Sequence, residues 1–153
     1  MTRHADWEDR LNDVVAKHQA MPGEWGKSDC WIMAMDAIEA VTGERILPHL
    51  QSYATEAEGY KVFRKAGFKE TVEEALAEAL GDPISPALAQ RGDVGVIERG
   101  SSVSCGVFTS IGFAVRTIYG HVERQAGKRV EVTTGYDIQF LPITAVARAY
   151  KVR

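Results

Sequence analysis

The 153-residue sequence contains little cysteine and no long hydrophobic run. Its two cysteines, Cys30 and Cys105, are too few and too far apart in the chain for a disulfide framework or a zinc site, although they could meet in the fold. No apolar run approaches the roughly 20 residues of a membrane span, and residues 1–9 lack the apolar core of a signal peptide. We therefore expect synthesis in the cytoplasm without a signal peptide, and no membrane span.

Dense clusters of lysine and arginine are also missing. The net charge is −3, with sixteen acidic and nine basic residues in 1–90 against five acidic and nine basic residues in 91–153. Because there is no dense basic cluster with interleaved aromatic residues, we expect the basic residues of 91–153 to form an ordinary solvated face. We expect no nucleic-acid partner. Neither a phosphate-binding loop nor a metal-ligand pattern is present, so the sequence indicates no cofactor and no metal.

Helical periodicity dominates the first ninety residues, and short β-rich segments follow. The predicted helices cover residues 6–19, 29–41, 55–66 and 71–80. The predicted strands, separated by glycines that include Gly120 and Gly135, cover 94–97, 103–109, 113–119, 121–124, 129–133, 138–141 and 147–152. This order predicts an α+β fold in one domain, residues 1–153, with a helical half at about 1–90 and a strand half at about 91–153. We expect the second helix, which is apolar around most of its circumference, to be buried against an antiparallel sheet.

The turn that ends at Cys30 is the main candidate for chemistry. Ser28 or Asp29 can cap the second helix, so Cys30 would lie in its first turn, where free N–H groups and the helix dipole favour a thiolate. The alternative is a small buried hydrophobe that opens a core helix. The nearby aromatic residues either wall a groove beside the thiol or pack in the core; they are Trp25, Trp31 and Tyr53. In such a groove, Trp25, Asp29 and Trp31 are the candidate binding residues.

Three short motifs give the chain a family resemblance. They are Trp25-Gly26-x-x-Asp29-Cys30, Gly92-Asp93-Val94 and Gly106-Val107-Phe108. In this order they resemble the NlpC-type, papain-like cysteine peptidases that cut peptidoglycan, and more closely the small proteins of tailed bacteriophages and prophages that share this scaffold, often without an assigned activity. The resemblance covers residues 25–113. It implies a central helix that carries the nucleophile, an antiparallel sheet that carries the base, and a place in the virion if the chain is phage-encoded.

The chain departs from this family at the position of the base. Where active relatives have histidine, this chain has Ser104 or, with a shift of one residue, Cys105, and the following polar position falls near Arg116. Neither serine nor arginine takes a proton from a thiol near neutral pH. Arg116 could instead hold a thiolate or bind a carboxylate. His121 is the candidate replacement base, and Cys105 could pair with Cys30 in a disulfide or remain a buried free thiol.

Two functions from different classes follow from the resemblance. The first is a tail or virion-associated protein on a degenerate peptidase scaffold, which acts in assembly or structure through contacts with other tail proteins. The second is an active thiol-dependent peptidoglycan hydrolase, with Cys30 as nucleophile and His121 as base. In either case, residues 118–136 look longer than the core needs, and we predict that they form an arm or lid over the cleft.

Overall fold

The structure is a computed structural model that describes residues 1–69 and 71–153. Helices form where the sequence has helical spacing of apolar residues and capping residues at the ends. They are α1 (Trp7–Ala20), α2 (Cys30–Thr42), α3 (Glu56–Lys65) and α4 (Val72–Leu80). Each lies within one or two residues of its predicted bounds. Thr55 and Thr71 are the N-caps of α3 and α4, as the sequence indicates.

The second helix, α2, is the central helix of the protein. Nine of its thirteen residues are buried, and it packs against both α1 and the sheet. It begins at Cys30 behind the N-cap Asp29 and ends at Gly43, whose φ of 79° is the left-handed conformation that glycine adopts readily. The prediction of a buried central helix that starts at Cys30 is therefore confirmed.

The second half of the chain forms a five-stranded antiparallel sheet. Its strands are β1 (Val94–Arg99), β2 (Ser102–Thr109), β3 (Gly112–Gln125), β4 (Lys128–Leu141) and β5 (Arg148–Tyr150). The spatial order is β4-β3-β2-β1-β5, and all neighbouring strands run antiparallel. The predicted α+β class, with helices packed on a C-terminal antiparallel sheet, is confirmed.

Two glycines that the sequence analysis takes as strand breaks lie inside long strands instead. Gly120 pairs with Thr133 at a bulge in the ladder between β3 and β4, and Gly135 pairs with Tyr119. A Cβ atom on Gly120 would come within 2.3 Å of the Val132 carbonyl oxygen. Glycine is therefore required at residue 120 for close approach of two backbones, and the chain continues as a strand on both sides.

The sheet buries apolar side chains on both faces. The face toward α2 joins the main core through Val94, Val96, Cys105, Val107 and Ala114. The opposite face carries a smaller core, formed by Ile97, Phe108, Phe113, Val115, Val146 and Ala149. Because strands alternate the direction of their side chains, each of the central strands contributes to both cores.

Asp93, in the middle of the Gly92-Asp93-Val94 motif, connects the two ends of the chain. Its buried carboxylate accepts hydrogen bonds from Arg3 Nη2 at 2.9 Å, from the Gln90 backbone N–H at 2.8 Å and from the Val152 backbone N–H at 2.9 Å. A buried carboxylate is stable only when it is paired in this way. Asp93 therefore has a structural role in this motif.

The β3–β4 hairpin extends well beyond the rest of the sheet. The two strands pair as far as Gln125 and Lys128, whereas the ladder between β2 and β3 covers three pairs, from Val107↔Ala114 to Thr109↔Gly112. Residues 119–129 are exposed. The segment predicted to be an arm or lid is thus a two-stranded hairpin with an exposed tip, and its action as a lid stays a prediction. Within the part of the chain that the structure describes, no helix is both long and apolar enough to cross a membrane.

Candidate functional site

Cys30 lies at the first position of α2, at the end of a tight turn. The turn is closed by a hydrogen bond from the Ser28 backbone N–H to the Glu24 carbonyl at 2.8 Å. Gly26 has a φ of 82°, and a Cβ atom there would come within 1.9 Å of the Tyr53 carbonyl oxygen. Cys30 itself is half-buried. The turn therefore places Cys30 beside a cleft, while most of α2 is buried in the core.

Asp29 holds this turn, the helix and one wall of the cleft together. Its carboxylate accepts hydrogen bonds from Ile32 N–H at 2.8 Å, from Gly26 N–H at 2.9 Å and from the Tyr53 hydroxyl at 2.7 Å. Burial raises the pKa of Asp29, although these donors act in the opposite direction. Asp29 was predicted as a cap or a binding residue, and the structure places it as the N-cap of α2.

Cys105 faces Cys30 from β2. The Cys105 side chain is fully buried, and Cys30 packs against the core cluster that contains it. The interaction with the Cys105 thiol lowers the pKa of Cys30, against the effect of burial, and the same interaction raises the pKa of Cys105. The free N–H groups at the start of α2 also favour a negative charge on Cys30. Of the two cysteines, Cys30 therefore has the more acidic thiol and is the less buried residue.

The cleft around Cys30 consists of adjoining cavities. One, of about 150 Å³, is lined by six aromatic residues, which are Trp25, Trp31, Tyr53, Tyr60, Phe63 and Phe68. Another, of about 250 Å³, opens between residues 102–104 of β2 and residues 116–118 of β3, where the two strands separate. Ser104 lines both cavities beside Cys30. The predicted groove of aromatic residues is thus present next to the thiol, and the same residues also pack the core.

Arg116 does not direct its guanidinium group toward the thiol. It is 3% exposed, and its Nε donates to Ser28 Oγ at 2.9 Å. Its Nη2 donates to the carbonyl oxygens of His18 and Met21. Burial lowers the pKa of Arg116. These hydrogen bonds hold the turn that precedes Cys30 in place, because all three acceptors lie between the last turn of α1 and the start of α2.

A buried polar network extends from Arg116 to the surface. Ser28 Oγ lies 2.7 Å from His18 Nδ1, and His18 Nε2 lies 2.7 Å from Asp36 Oδ2. Arg45 Nη1 then donates to Asp36 Oδ1 at 2.6 Å. These residues have the composition of a serine–histidine–aspartate triad, but Ser28 and His18 are fully buried, so no substrate reaches the hydroxyl.

The sequence does not predict this network. His18 lies on the same face of α1 as Leu11 and Val15, and Ser28 is a predicted alternative cap, but nothing local connects them to Asp36. The local signal is that His18 and Asp36 are polar residues on otherwise apolar parts of α1 and α2.

His121, the candidate base, lies on the exposed hairpin. Its Nε2 forms a 2.8 Å hydrogen bond with Glu123 Oε1, and half of the side chain is exposed. It lines a third cavity of about 190 Å³, whereas Cys30 lines the other two. Along the strand, His121 is five residues beyond Arg116, which is about 16 Å at the rise of an extended chain. The structure therefore gathers Cys30, Cys105 and Ser104 in one place and leaves His121 on the hairpin.

Glu131 of β4 joins the hairpin to the helical wall of the cleft. Its two carboxylate oxygens accept hydrogen bonds from the backbone N–H groups of Glu56 at 2.9 Å and Ala57 at 3.1 Å, in the first turn of α3. These N–H groups have no partner within the helix, so a carboxylate is well placed to satisfy them. Burial and the nearby Glu131 charge raise the pKa of Glu56. The sequence does not predict this contact. The local signal for it is that the N–H groups in the first turn of α3 need acceptors from outside the helix.

Trp25 and Glu56 line all three cavities, which therefore lie side by side between α4 and the hairpin. In the described residues, no group of three or more His, Cys, Asp or Glu side chains is arranged to hold a metal ion.

The fold and site together define an α+β protein in which a cysteine opens the central helix and faces a second cysteine on the sheet. A family model described as a domain of unknown function (DUF6950) matches residues 2–152. Because the match covers almost the whole chain, the protein belongs to this family. The searches of curated proteins and of solved structures gave no match.

Proposed function

We propose that the protein is a phage or prophage virion-associated protein, built on a degenerate NlpC-type cysteine peptidase scaffold and acting in assembly or structure. The observation that supports this most directly is the partner of Cys30. The group that packs beside the candidate nucleophile from the sheet is a thiol, that of Cys105. In an active thiol peptidase an imidazole holds this place, since the nucleophile needs an adjacent base.

The chemistry of Cys105 does not replace that of histidine. An acyl transfer by a thiol needs a group that takes the thiol proton and later returns a proton to the leaving amine. The pKa of Cys105 is raised well above its ordinary value, so near neutral pH it donates a hydrogen bond and does not act as a base. His18, the buried imidazole closest along the chain, uses both ring nitrogens in contacts with Ser28 and Asp36.

The cleft retains features that suit the binding of a partner. Aromatic side chains form its walls, and the charged residues Glu56, Arg64 and Lys69 line the same cavity. Aromatic surface with a few charged groups at its border is typical of protein recognition sites. In this proposal the cleft receives a segment of another tail protein and holds it without cleavage, because a scaffold can keep its binding surface when it has no base.

One observation favours a second candidate, an active peptidoglycan hydrolase. Cys30 is half-buried and lines the cleft, and its pKa is lowered by Cys105 despite burial. In that case Cys30 would attack an amide carbonyl, backbone N–H groups at the start of α2 would stabilise the oxyanion, and His121 would serve as base after movement of the hairpin.

The two candidates are separated by incubation of the purified protein with cell-wall sacculi. We expect the wild-type protein to release no more peptide fragments or new amino groups than the Cys30→Ala variant does. Release by the wild type that Cys30→Ala abolishes would contradict the proposal and establish the hydrolase. His121→Ala, compared with His49→Ala as an exposed control outside the cleft, would then show whether His121 is the base.

The structural role has its own test in the particle. We expect quantitative mass spectrometry of purified virions of the source phage or induced prophage to find this chain at a fixed copy number. If the chain is produced during infection but is absent from intact virions, the virion-associated role is contradicted, whatever the result with sacculi.

A further inference from the structure

We propose that Cys30 and Cys105 form a reversible dithiol–disulfide couple that small hydroperoxides oxidise, with Cys30 as the reacting thiol and Cys105 as the resolving thiol. This goes beyond the proposed function, because it concerns the chemistry of the thiol pair and holds for a binding module and for a hydrolase.

The positions of the two sulfur atoms support this assignment of roles. Cys30 is half-buried and lines two cavities of the cleft, which gives a small molecule a route to this residue from solvent. Cys105 is fully buried on β2. Cys30 packs against the core cluster that contains Cys105, and the two thiols interact, which is the proximity that a disulfide needs.

The surroundings of Cys30 also favour attack by this sulfur. It occupies the first position of a thirteen-residue helix whose first N–H groups favour a thiolate. Arg99 adds a positive charge nearby, while the negative charge of Asp29 opposes it. Asp29 is already engaged by three hydrogen-bond donors, which reduce the effect of that charge on the sulfur.

The reaction balances with a hydroperoxide as the only co-reactant. The Cys30 thiolate attacks the terminal peroxide oxygen, and the O–O bond breaks to give the sulfenic acid. The leaving alkoxide, or hydroxide from hydrogen peroxide, takes up the proton that the Cys30 thiol has lost and departs as an alcohol or as water. Cys105 sulfur then attacks the Cys30 sulfenic acid, the S–S bond forms, the S–O bond breaks, and the hydroxide leaves as water with the Cys105 proton. The dithiol loses two electrons and the peroxide gains them.

Oxidation would change the cleft and the stability of the fold together. The disulfide would join the start of α2 to β2 and remove the free thiol beside the cleft. It would also connect residues that are far apart in the chain, which restricts the unfolded state strongly. A reducing cytoplasm would keep the pair as thiols, whereas an oxidising medium would favour the disulfide.

The test is titration of the reduced, full-length protein with hydrogen peroxide, followed by denaturation, alkylation with N-ethylmaleimide and intact-mass measurement. For the wild type we expect the loss of both alkylation sites at about one equivalent, a monomeric product 2 Da lighter, and full reversal by dithiothreitol. The thermal midpoint of the oxidised protein should lie about 5–10 °C above that of the reduced protein.

Two variants separate the roles of the thiols. In Cys105→Ser we expect a sulfenic acid on Cys30 that dimedone traps, and in Cys30→Ser we expect Cys105 to stay unmodified in the native state. The proposal is overturned if wild-type protein keeps two alkylatable thiols under peroxide that oxidises glutathione, or if it yields only intermolecular dimers or a sulfinic acid on Cys30. These wild-type outcomes decide the question even if a variant does not fold.

Discussion

At the scale of single residues, the site depends on groups that hold Cys30 in position. Asp29, the residue before Cys30, accepts three hydrogen bonds. Arg116 donates to Ser28 and to two carbonyl groups of the segment that precedes it. The reacting atom is therefore fixed by neighbours that do not themselves face a substrate. This separates the residues that position the sulfur from the residue that could react.

Asp29→Ala tests the positioning role of the cap. Loss of the carboxylate removes the N-cap of α2 and leaves the hydroxyl of the half-buried Tyr53 without its acceptor. We expect a loss of about 2–4 kcal/mol in the free energy of unfolding, measured with urea. Asp82→Ala, which removes an exposed aspartate, is the control and should change stability by less than about 0.5 kcal/mol. Equal effects of the two substitutions would show that Asp29 does not hold the turn.

At the scale of secondary-structure elements, the hairpin is the feature that distinguishes the cleft. Strands β3 and β4 separate from β2 beyond Ala114, and Glu131 attaches them to the first turn of α3. One wall of the cleft is thus formed by a two-stranded hairpin that the Glu131 carboxylate joins to a helix. Two-stranded hairpins have little stability of their own, so this contact should control how closely the hairpin stays on the cleft.

Glu131→Ala tests this attachment. Without the carboxylate, the Glu56 and Ala57 amides lose their acceptor and the hairpin loses its contact with α3. We expect hydrogen exchange of these two amides and of residues 119–129 to become about 3- to 10-fold faster, the effect of losing roughly 1 kcal/mol. Glu123→Ala is the control, since Glu123 contacts only hairpin residues in its hydrogen bonds to His121 and Gln125. Unchanged exchange in Glu131→Ala would contradict the attachment.

At the scale of the whole molecule, ion pairs connect parts of the chain that are distant in sequence. Asp93 accepts from Arg3 and from the backbone of Val152, so it joins both ends of the chain to β1. Glu73 of α4 accepts from Arg148 Nε at 2.5 Å and from the Tyr150 hydroxyl at 2.6 Å, both on β5. Together these contacts tie the helical half to the far edge of the sheet.

The Glu73 contact predicts a dependence of stability on pH. Burial acts to raise the pKa of Glu73, but the hydrogen bonds from Arg148 and Tyr150 outweigh it, and the pKa is lowered. A carboxylate with a lowered folded-state pKa stabilises the protein above its unfolded-state value of about 4.3, and this stabilisation is lost as pH falls through the folded-state pKa.

The measurement compares free energies of unfolding from urea titrations between pH 6 and pH 2. We expect Glu73→Gln to be less stable than wild type at pH 6 and the difference to shrink as pH falls below about 4. Glu78→Gln, an exposed position on the same helix, should run parallel to wild type. A constant difference between wild type and Glu73→Gln over this range would contradict the assignment.

Local patterns in the sequence determined the helices, their caps and the place of Cys30 at the start of the buried helix. Helix formation depends on neighbours three and four residues away, so spacing and capping residues suffice to predict it. The change to β-rich segments after Gly92 likewise determined the α+β class. The number of strands was less well predicted, because Gly120 and Gly135 look like breaks unless the strand opposite them is known.

Only the tertiary structure decided what surrounds the thiol. The contact of Cys105 with Cys30, the turning of Arg116 toward Ser28, the buried link from His18 to Asp36 and the place of His121 on the hairpin all join residues distant in the chain. Strand register and side-chain direction set these contacts, and both depend on pairing across the sheet. A one-residue change in register would exchange Ser104 for Cys105 at the face of α2, and sequence alone does not distinguish these two arrangements.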